Sequence, residues 1–294
     1  MEKPLYFCVM INKVAIAGAG TMGSGIALSV AMSDIAVILF DVQEVMLEKA
    51  RLAISKNLEV LLKKGKISSE EKNEISSRIT YTNHIEEAVA DVVIEAIVEK
   101  LPVKVDLFQK LAAINHPDTI LASNTSSLSV SDIQKEVPAP ERVAGLHYFN
   151  PAQVMKLVEV VKGERTSGTV IQRLVDFTKS QKKVPVVCHD SPGFIVNRVA
   201  RHFYLESMKL VEDGIATVEE VDSILEASGF KMGPFRLMDM IGMDINLAVT
   251  ESLYEAFNQH IRFTPSSLQI QKVNDGELGR KTGKGFYTYN SPAS

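Results

Sequence analysis

The sequence predicts an α/β fold, a doubly wound and mainly parallel sheet followed by an all-helical region. Three observations carry this. Short apolar runs alternate with longer stretches of helical periodicity over roughly the first two-thirds of the chain, the pattern of strands separated by crossover helices. A glycine-rich turn lies between the first apolar run and the first helical stretch. Beyond about residue 190 the short runs stop and only helical periodicity remains.

Taken in order, residues 13–17 (KVAIA) read as a buried strand, and the small apolar stretch 22–32 suits a helix packed on a sheet. Residues 36–40 (AVILF) form a second strand. Residues 44–64 form a long amphipathic helix with Leu47, Leu58, Leu61 and Leu62 at helical spacing. Ser68, followed by Glu70 and Glu71, opens another helix with cap and acidic first-turn chemistry. Further strands fall at 79–81, 91–95, 119–122 and 143–146. Residues 156–161 place an acid inside an apolar strand, and 184–188 is the last strand. Ser191-Pro192 then reads as an N-cap followed by proline at the first helical position. Helical segments are expected at 194–211, 218–227 and 235–257, so the domain boundary is set near residue 190, giving 1–189 and 190–294.

Composition removes several classes. A chain of 294 residues buries a core large enough to need no disulfide or metal. At 46% hydrophobic and 23% charged it is neither disordered nor collagen-like nor a coiled coil. A formal charge of −4 argues against nucleic acid as partner. Cys8 and Cys188 make no disulfide framework and lack metal-ligand spacing, so a reduced, cytoplasmic setting and no metal are expected. The most apolar stretch, 26–40, is interrupted by Ser29, Ser33 and Asp34, which argues against a membrane span. Residues 1–9 match a secretory signal poorly, and Met10 stands just before the first strand, so either the chain starts there or 1–9 are a loose extension.

Gly18-Ala19-Gly20-Thr21-Met22-Gly23 fits G-x-G-x-x-G. By itself that string marks any glycine turn. Here it follows a strand, opens a helix and is succeeded by Asp41 at the end of the second strand, which is the context of a dinucleotide-binding, Rossmann-like fingerprint. Gly18 permits the tight turn, Gly20 the approach of a pyrophosphate, and Gly23 the packing of helix on strand. The helix N-terminus offers amide N–H groups to phosphate. Asp41 would bond the ribose hydroxyls and repel a 2′-phosphate, so NAD is expected rather than NADP.

Polar residues that sheet packing does not need gather in 123–127 (SNTSS), 145–151 (GLHYFNP) and 156–161 (KLVEVV). The first two fall at strand ends, where open α/β sheets bind ligands. Hydride exchange with a nicotinamide moves a proton at the alcohol oxygen as well, and histidine holds such a proton near neutral pH. His147 with Glu159 would supply a base and the carboxylate that orients it. Spacing alone equally allows a core histidine and an outward-facing glutamate.

The sequence resembles the L-3-hydroxyacyl-CoA dehydrogenase family, and most closely its short bacterial 3-hydroxybutyryl-CoA members. The resemblance spans about residues 12–289. It rests on 18–27 (GAGTMGSGIA), 93–96 (VIEA), 122–128 (ASNTSSL), 145–151 (GLHYFNP), 154–160 (VMKLVEV), 191–198 (SPGFIVNR), 232–234 (MGP) and 279–287 (GRKTGKGFY). It implies an NAD-binding domain and a helical domain that holds the substrate cleft and forms a homodimer. It implies His147 as catalytic base, Glu159 as its orienting carboxylate, Ser126 between substrate and nicotinamide, and Asn197 near the reacting end of the substrate. Asn150, Glu99, Lys104 and Lys281 match cofactor positions, and Lys64 matches a residue meeting coenzyme A. The activity implied is NAD-dependent interconversion of an L-3-hydroxyacyl-CoA and a 3-oxoacyl-CoA in fatty acid metabolism. A dehydrogenase of a free 3-hydroxyacid and a non-catalytic NAD-binding subunit are the alternatives. Tyr148, where the family commonly has Phe, is expected to change pocket polarity. Asn57 and Ala152-Gln153 also depart from the family pattern and bear on acyl-chain preference.

Overall fold

The computed structural model describes residues 11–289; the expectation about residues 1–9 and Met10 lies outside them. The chain divides into two units, Met1–Ser191 and Pro192–Ser294.

The first unit runs β1 (Lys13–Ala17), α1 (Thr21–Ala31), β2 (Ala36–Phe40), α2 (Glu44–Lys63), α3 (Ser69–Ser77), β3 (Ile79–Thr82), β4 (Val92–Glu95), α4 (Leu101–Ile114), β5 (Ile120–Ser123), α5 (Val130–Lys135), β6 (Val143–Tyr148), β7 (Leu157–Lys162), α6 (Gly168–Ser180) and β8 (Val184–His189). The strands form one eight-stranded sheet in the order β3-β2-β1-β4-β5-β6-β7-β8. Every neighbouring pair is parallel except β6–β7. The strand order reverses between β1 and β4, so the crevice used by doubly wound sheets opens there. One buried layer joins α1, α2 and α6 to one face of the sheet through Ile26, Leu47, Leu58, Leu146 and Leu174. The other face carries α4 and α5 through Phe108, Leu111, Leu121 and Ile133. Burial on both faces explains why β1, β2 and β4 read as continuous apolar runs rather than alternating ones.

Local chemistry sets the helix starts. Ser68 and Glu71 form a reciprocal capping box at α3. Pro102 occupies the first turn of α4, where its missing N–H is harmless.

The second unit comprises α7 (Val196–Glu212), α8 (Val218–Ala227), α9 (Pro234–Ile241), α10 (Met243–Ala256) and α11 (Ser267–Asn274). Its core is built on Tyr204, Met208, Val221, Phe235, Met238 and Met243. Two expectations fail here. Ser191-Pro192 does not open the helix, because Gly193 (φ +71°) and Phe194 (φ +48°) are both left-handed, a conformation no right-handed helix contains. The helix starts at Val196, so Asn197 lies in its first turn. The expected single helix over 235–257 is broken at Gly242, whose φ of +103° is open to glycine alone. Two buried carboxylates hold the segment after α11. Asp239 accepts hydrogen bonds from the Phe286 and Tyr287 amides and the Tyr289 hydroxyl, and Asp222 accepts from the Tyr287 hydroxyl.

Candidate active site

The loop from β1 to α1 is shaped by its glycines in three different ways. Gly18 has φ +108°, and a Cβ there would lie 2.5 Å from the Ala96 carbonyl oxygen. A Cβ on Gly23 would lie 1.7 Å from the Gly18 carbonyl oxygen, so helix and loop meet backbone to backbone. Gly20 is different. Its φ of −69° suits any residue, and a Cβ there would meet nothing within 4 Å. Neither backbone strain nor packing within the chain calls for glycine at 20; the open space does. No side chain caps α1, whose first turn, Thr21, Met22 and Gly23, follows directly. Asp41 braces the loop by accepting from the Ala19 amide (2.8 Å) and, through its other oxygen, from the Gln43 amide (2.9 Å). An open cradle of amides beside a partly exposed carboxylate fits a dinucleotide.

The second cluster lies on the same carboxyl edge of the sheet, three strands from β1, or about 14 Å at ordinary strand spacing. His147 on β6 is paired with Glu159 on the antiparallel β7, so the two side chains rise from one face side by side. His147 Nδ1 lies 2.8 Å from Glu159 Oε2. Glu159 is fully buried and His147 is 6% exposed. An ionised carboxylate only accepts, so Nδ1 carries the ring proton and Nε2 is the basic nitrogen. Phe149 packs on the imidazole with ring centroids 4.5 Å apart.

The segment carrying Ser126 is held by a chain of buried ions. Glu95, which ends β4 and is fully buried, accepts from Lys104 Nζ (2.5 Å), the Ser123 hydroxyl (2.6 Å) and the Ile97 amide (2.7 Å). Lys104 Nζ also lies 3.1 Å from Glu99 Oε2. Glu99 Oε1 in turn accepts from the Thr125 hydroxyl (2.5 Å), the Ser127 hydroxyl (3.0 Å) and the Ser126 and Ser127 amides. Burial alone would raise the Glu99 carboxyl; Lys104 and the Thr125 and Ser127 hydroxyls outweigh it and hold it below the ordinary range. Lys104 is only 1% exposed, held between its two carboxylates. Sequence reasoning gave Glu95 no role, although a carboxylate closing an otherwise apolar buried strand was a visible signal.

Asn150 is exposed on the loop leaving β6, and Lys64 is exposed just after α2. Lys281 belongs to the second unit and is paired with Asp244 at 2.5 and 2.6 Å; Asn197 belongs there too. Tyr148 corrects an expectation. Its hydroxyl does not reach a pocket: the ring is 2% exposed on the opposite face from His147, and the hydroxyl bonds Gln181, which also accepts from Ser29 of α1. Asn57 accepts a hydrogen bond from Gln153 (3.2 Å). Among the described residues no cluster of three or more metal-ligating side chains occurs, and no helix is long and apolar enough to cross a membrane.

Residues 13–191 match the family model "3-hydroxyacyl-CoA dehydrogenase, NAD binding domain", and 193–289 match the model of the same family's C-terminal domain. The chain is 45% identical over 285 residues to the 3-hydroxyadipyl-CoA dehydrogenase of Escherichia coli, covering 96% of this chain but only 60% of that protein's length. It is 40% identical to the 3-hydroxybutyryl-CoA dehydrogenase of Clostridioides difficile, covering 95% of this chain and 99% of the relative. The crystal structure of the 3-hydroxybutyryl-CoA dehydrogenase of Escherichia coli K12 superposes with a TM-score of 0.93 at 44% identity, over 97% of this chain and 61% of that one. With both models matched in order along the described chain, the protein belongs to the 3-hydroxyacyl-CoA dehydrogenase family, and its first unit is that family's NAD-binding domain.

Proposed function

We propose that this chain interconverts an L-3-hydroxyacyl-CoA and the corresponding 3-oxoacyl-CoA, with a short acyl chain such as 3-hydroxybutyryl. The observation that carries the reading is the buried His147–Glu159 pair on the sheet edge that also bears the dinucleotide cradle. Bound NAD would supply the hydride acceptor for C3. His147 takes the hydroxyl proton on Nε2 as the hydride leaves, and in the reverse direction returns it to the forming alkoxide. Glu159 holds Nδ1–H, fixing the ring's orientation, and its charge stabilises the imidazolium where water is excluded. Ser126, kept in place by Glu99 and its buried lysine, positions the reacting oxygen. Asn197 is assigned to the substrate, Asn150, Glu99 and Lys281 to the cofactor, with Lys104 acting through Glu99, and Lys64 to the phosphates of coenzyme A.

The helical unit is assigned to dimerisation. Ile215, Ile224 and Ile261 are each more than two-thirds exposed there, apolar side chains that a second copy would cover. A single species at monomer mass in micromolar sedimentation would remove that assignment. The cytoplasm is the compartment that suits its two cysteines.

The test is NADH oxidation with acetoacetyl-CoA, then with a longer 3-oxoacyl-CoA, with NADPH in parallel. Turnover is expected with NADH and the four-carbon thioester, and slower turnover with NADPH because Asp41 opposes a 2′-phosphate. NADH binding without turnover of any thioester overturns the reading; turnover of free hydroxyacids alone transfers it to the alternative substrate class. His147→Ala is expected to lower kcat by roughly 10²–10⁴.

A further inference from the structure

Lys183 directly precedes β8 and is 8% exposed, and its ammonium is engaged by carbonyls rather than by a carboxylate. Its ammonium donates to the Ala152 carbonyl (2.6 Å) and the Met155 carbonyl (2.8 Å). Both carbonyls belong to the short connection between β6, which carries His147, and β7, which carries Glu159. That connection is pinned at two further points. The Pro151 carbonyl accepts from the Val154 and Met155 amides, and Gln153 donates to Asn57 on α2. A cation taken out of water without a counter-ion stabilises a fold poorly. What this one does that an apolar side chain could not is grip two carbonyls of a single loop from beneath.

We propose that Lys183 is a positioning residue of the active site: its buried ammonium staples loop 149–156 and so fixes Asn150 and the exposed apolar pair Val154 and Met155 beside the end of the His147 strand. The proposal rests on the reading of His147 and Asn150 given above.

The staple is titratable. Burial pushes the Lys183 ammonium down to about 8. The two carbonyls and the Tyr148 ring favour the charged form, and burial outweighs them. Helix α1 bears no charged side chain, Tyr148 on β6 presents its ring 5.8 Å from Nζ, and Glu159 on β7 faces His147. Asp176 of α6 takes hydrogen bonds from Gln172 within its own helix, and Lys156, Lys179 and Lys182 are exposed cations. Above that pH the amine keeps two N–H donors but loses the charge that roughly doubles the strength of each bond.

Hydrogen–deuterium exchange on the whole chain between about pH 6.5 and 9.5, corrected for intrinsic rates, tests the staple without reference to activity. Peptides covering 150–156 are expected to open about tenfold more at the upper pH, while β6 and β7 peptides stay protected. Lys183→Met is expected to show the high-pH opening at every pH. It should also raise KM for NADH about five- to tenfold with kcat changed less than threefold, as lost positioning of a cofactor contact predicts. Lys183→Arg, which keeps the charge, restores part of the protection. Flat wild-type exchange across the range, or a Lys183→Met protein with wild-type KM and loop protection, overturns the proposal. If Lys183→Met does not fold, the wild-type exchange profile decides alone. If the wild type turns over no thioester, the functional reading falls while the exchange experiment still judges the staple.

Discussion

Replacing Gly20 with alanine isolates the cofactor cradle from the fold. At Gly20 the backbone is already in a region alanine occupies, and the new methyl meets no atom of the chain within 4 Å. Two small terms oppose each other. Alanine lowers the entropy of the unfolded chain, worth about 0.4–1 kcal/mol, and is a poorer N-cap than glycine by about the same amount. Stability should therefore change by less than about 0.5 kcal/mol, a Tm shift within about 2 °C. On the proposed reading the methyl instead enters the open space assigned to a pyrophosphate. An NADH affinity lower by at least about tenfold, or 1.4 kcal/mol, is expected in a fluorescence titration. Gly23→Ala is the internal contrast. Its methyl would sit 1.7 Å from the Gly18 carbonyl oxygen, a clash between two backbone segments that no rotamer relieves. A loss of about 3 kcal/mol or more is expected there, seen as a Tm lower by about 6–12 °C. A Gly20→Ala protein that binds NADH as tightly as wild type would refute the cradle.

Three further outcomes follow from the same geometry. Glu159→Gln keeps the shape of the His147 pair but removes the charge; losing a charge-assisted bond of about 1.5–3 kcal/mol predicts kcat lower by about 10- to 150-fold with KM for the thioester nearly unchanged, read in steady-state kinetics. Glu95→Ala strips the fully buried carboxylate from Lys104 and should destabilise the first unit by about 3–5 kcal/mol in urea unfolding, whereas an unchanged midpoint would mean that Lys104 is satisfied by Glu99 alone. The Glu99 carboxyl is held below its ordinary range against the opposing pull of burial, so its contribution to stability is complete above about pH 5 and is lost as pH falls through the depressed value. Glu99→Gln should flatten that part of the stability–pH curve, measured by urea midpoints between about pH 3 and 6.

The sheet was legible because parallel strands buried on both faces write themselves as uninterrupted apolar runs, as 36–40 does. Helices α4 to α6 were harder to read, since their boundaries rest on Pro102 and on single serine caps at Ser129 and Ser167 rather than on long periodic stretches. The break at Gly242 and the turn at 193–194 were misread for one reason: both rest on left-handed backbone that tertiary contacts select and that side-chain periodicity does not register. In the site, the glycine loop and Asp41 were visible because their chemistry is local in sequence. The His147–Glu159 pair was visible as two residue types, but its contact depends on strand register. Glu95 was visible as a carboxylate closing an apolar strand, but its partners Lys104 and Ser123, like the carbonyls that Lys183 bonds, are brought together only by the fold.

The antiparallel pairing of β6 and β7 has a consequence for how such a protein can change. Because His147 and Glu159 face each other as register partners, their contact depends on the ladder and not on the connection between the strands. Residues can be inserted into or removed from that connection, and the His147–Glu159 contact survives as long as the ladder keeps its pairing. A slip of one residue in β7 would instead turn Glu159 to the opposite face and abolish the pair at once. The His147–Glu159 contact and the content of that connection are thus separable: a relative's residues grafted between Tyr148 and Leu157 leave the contact intact for as long as the ladder keeps its pairing.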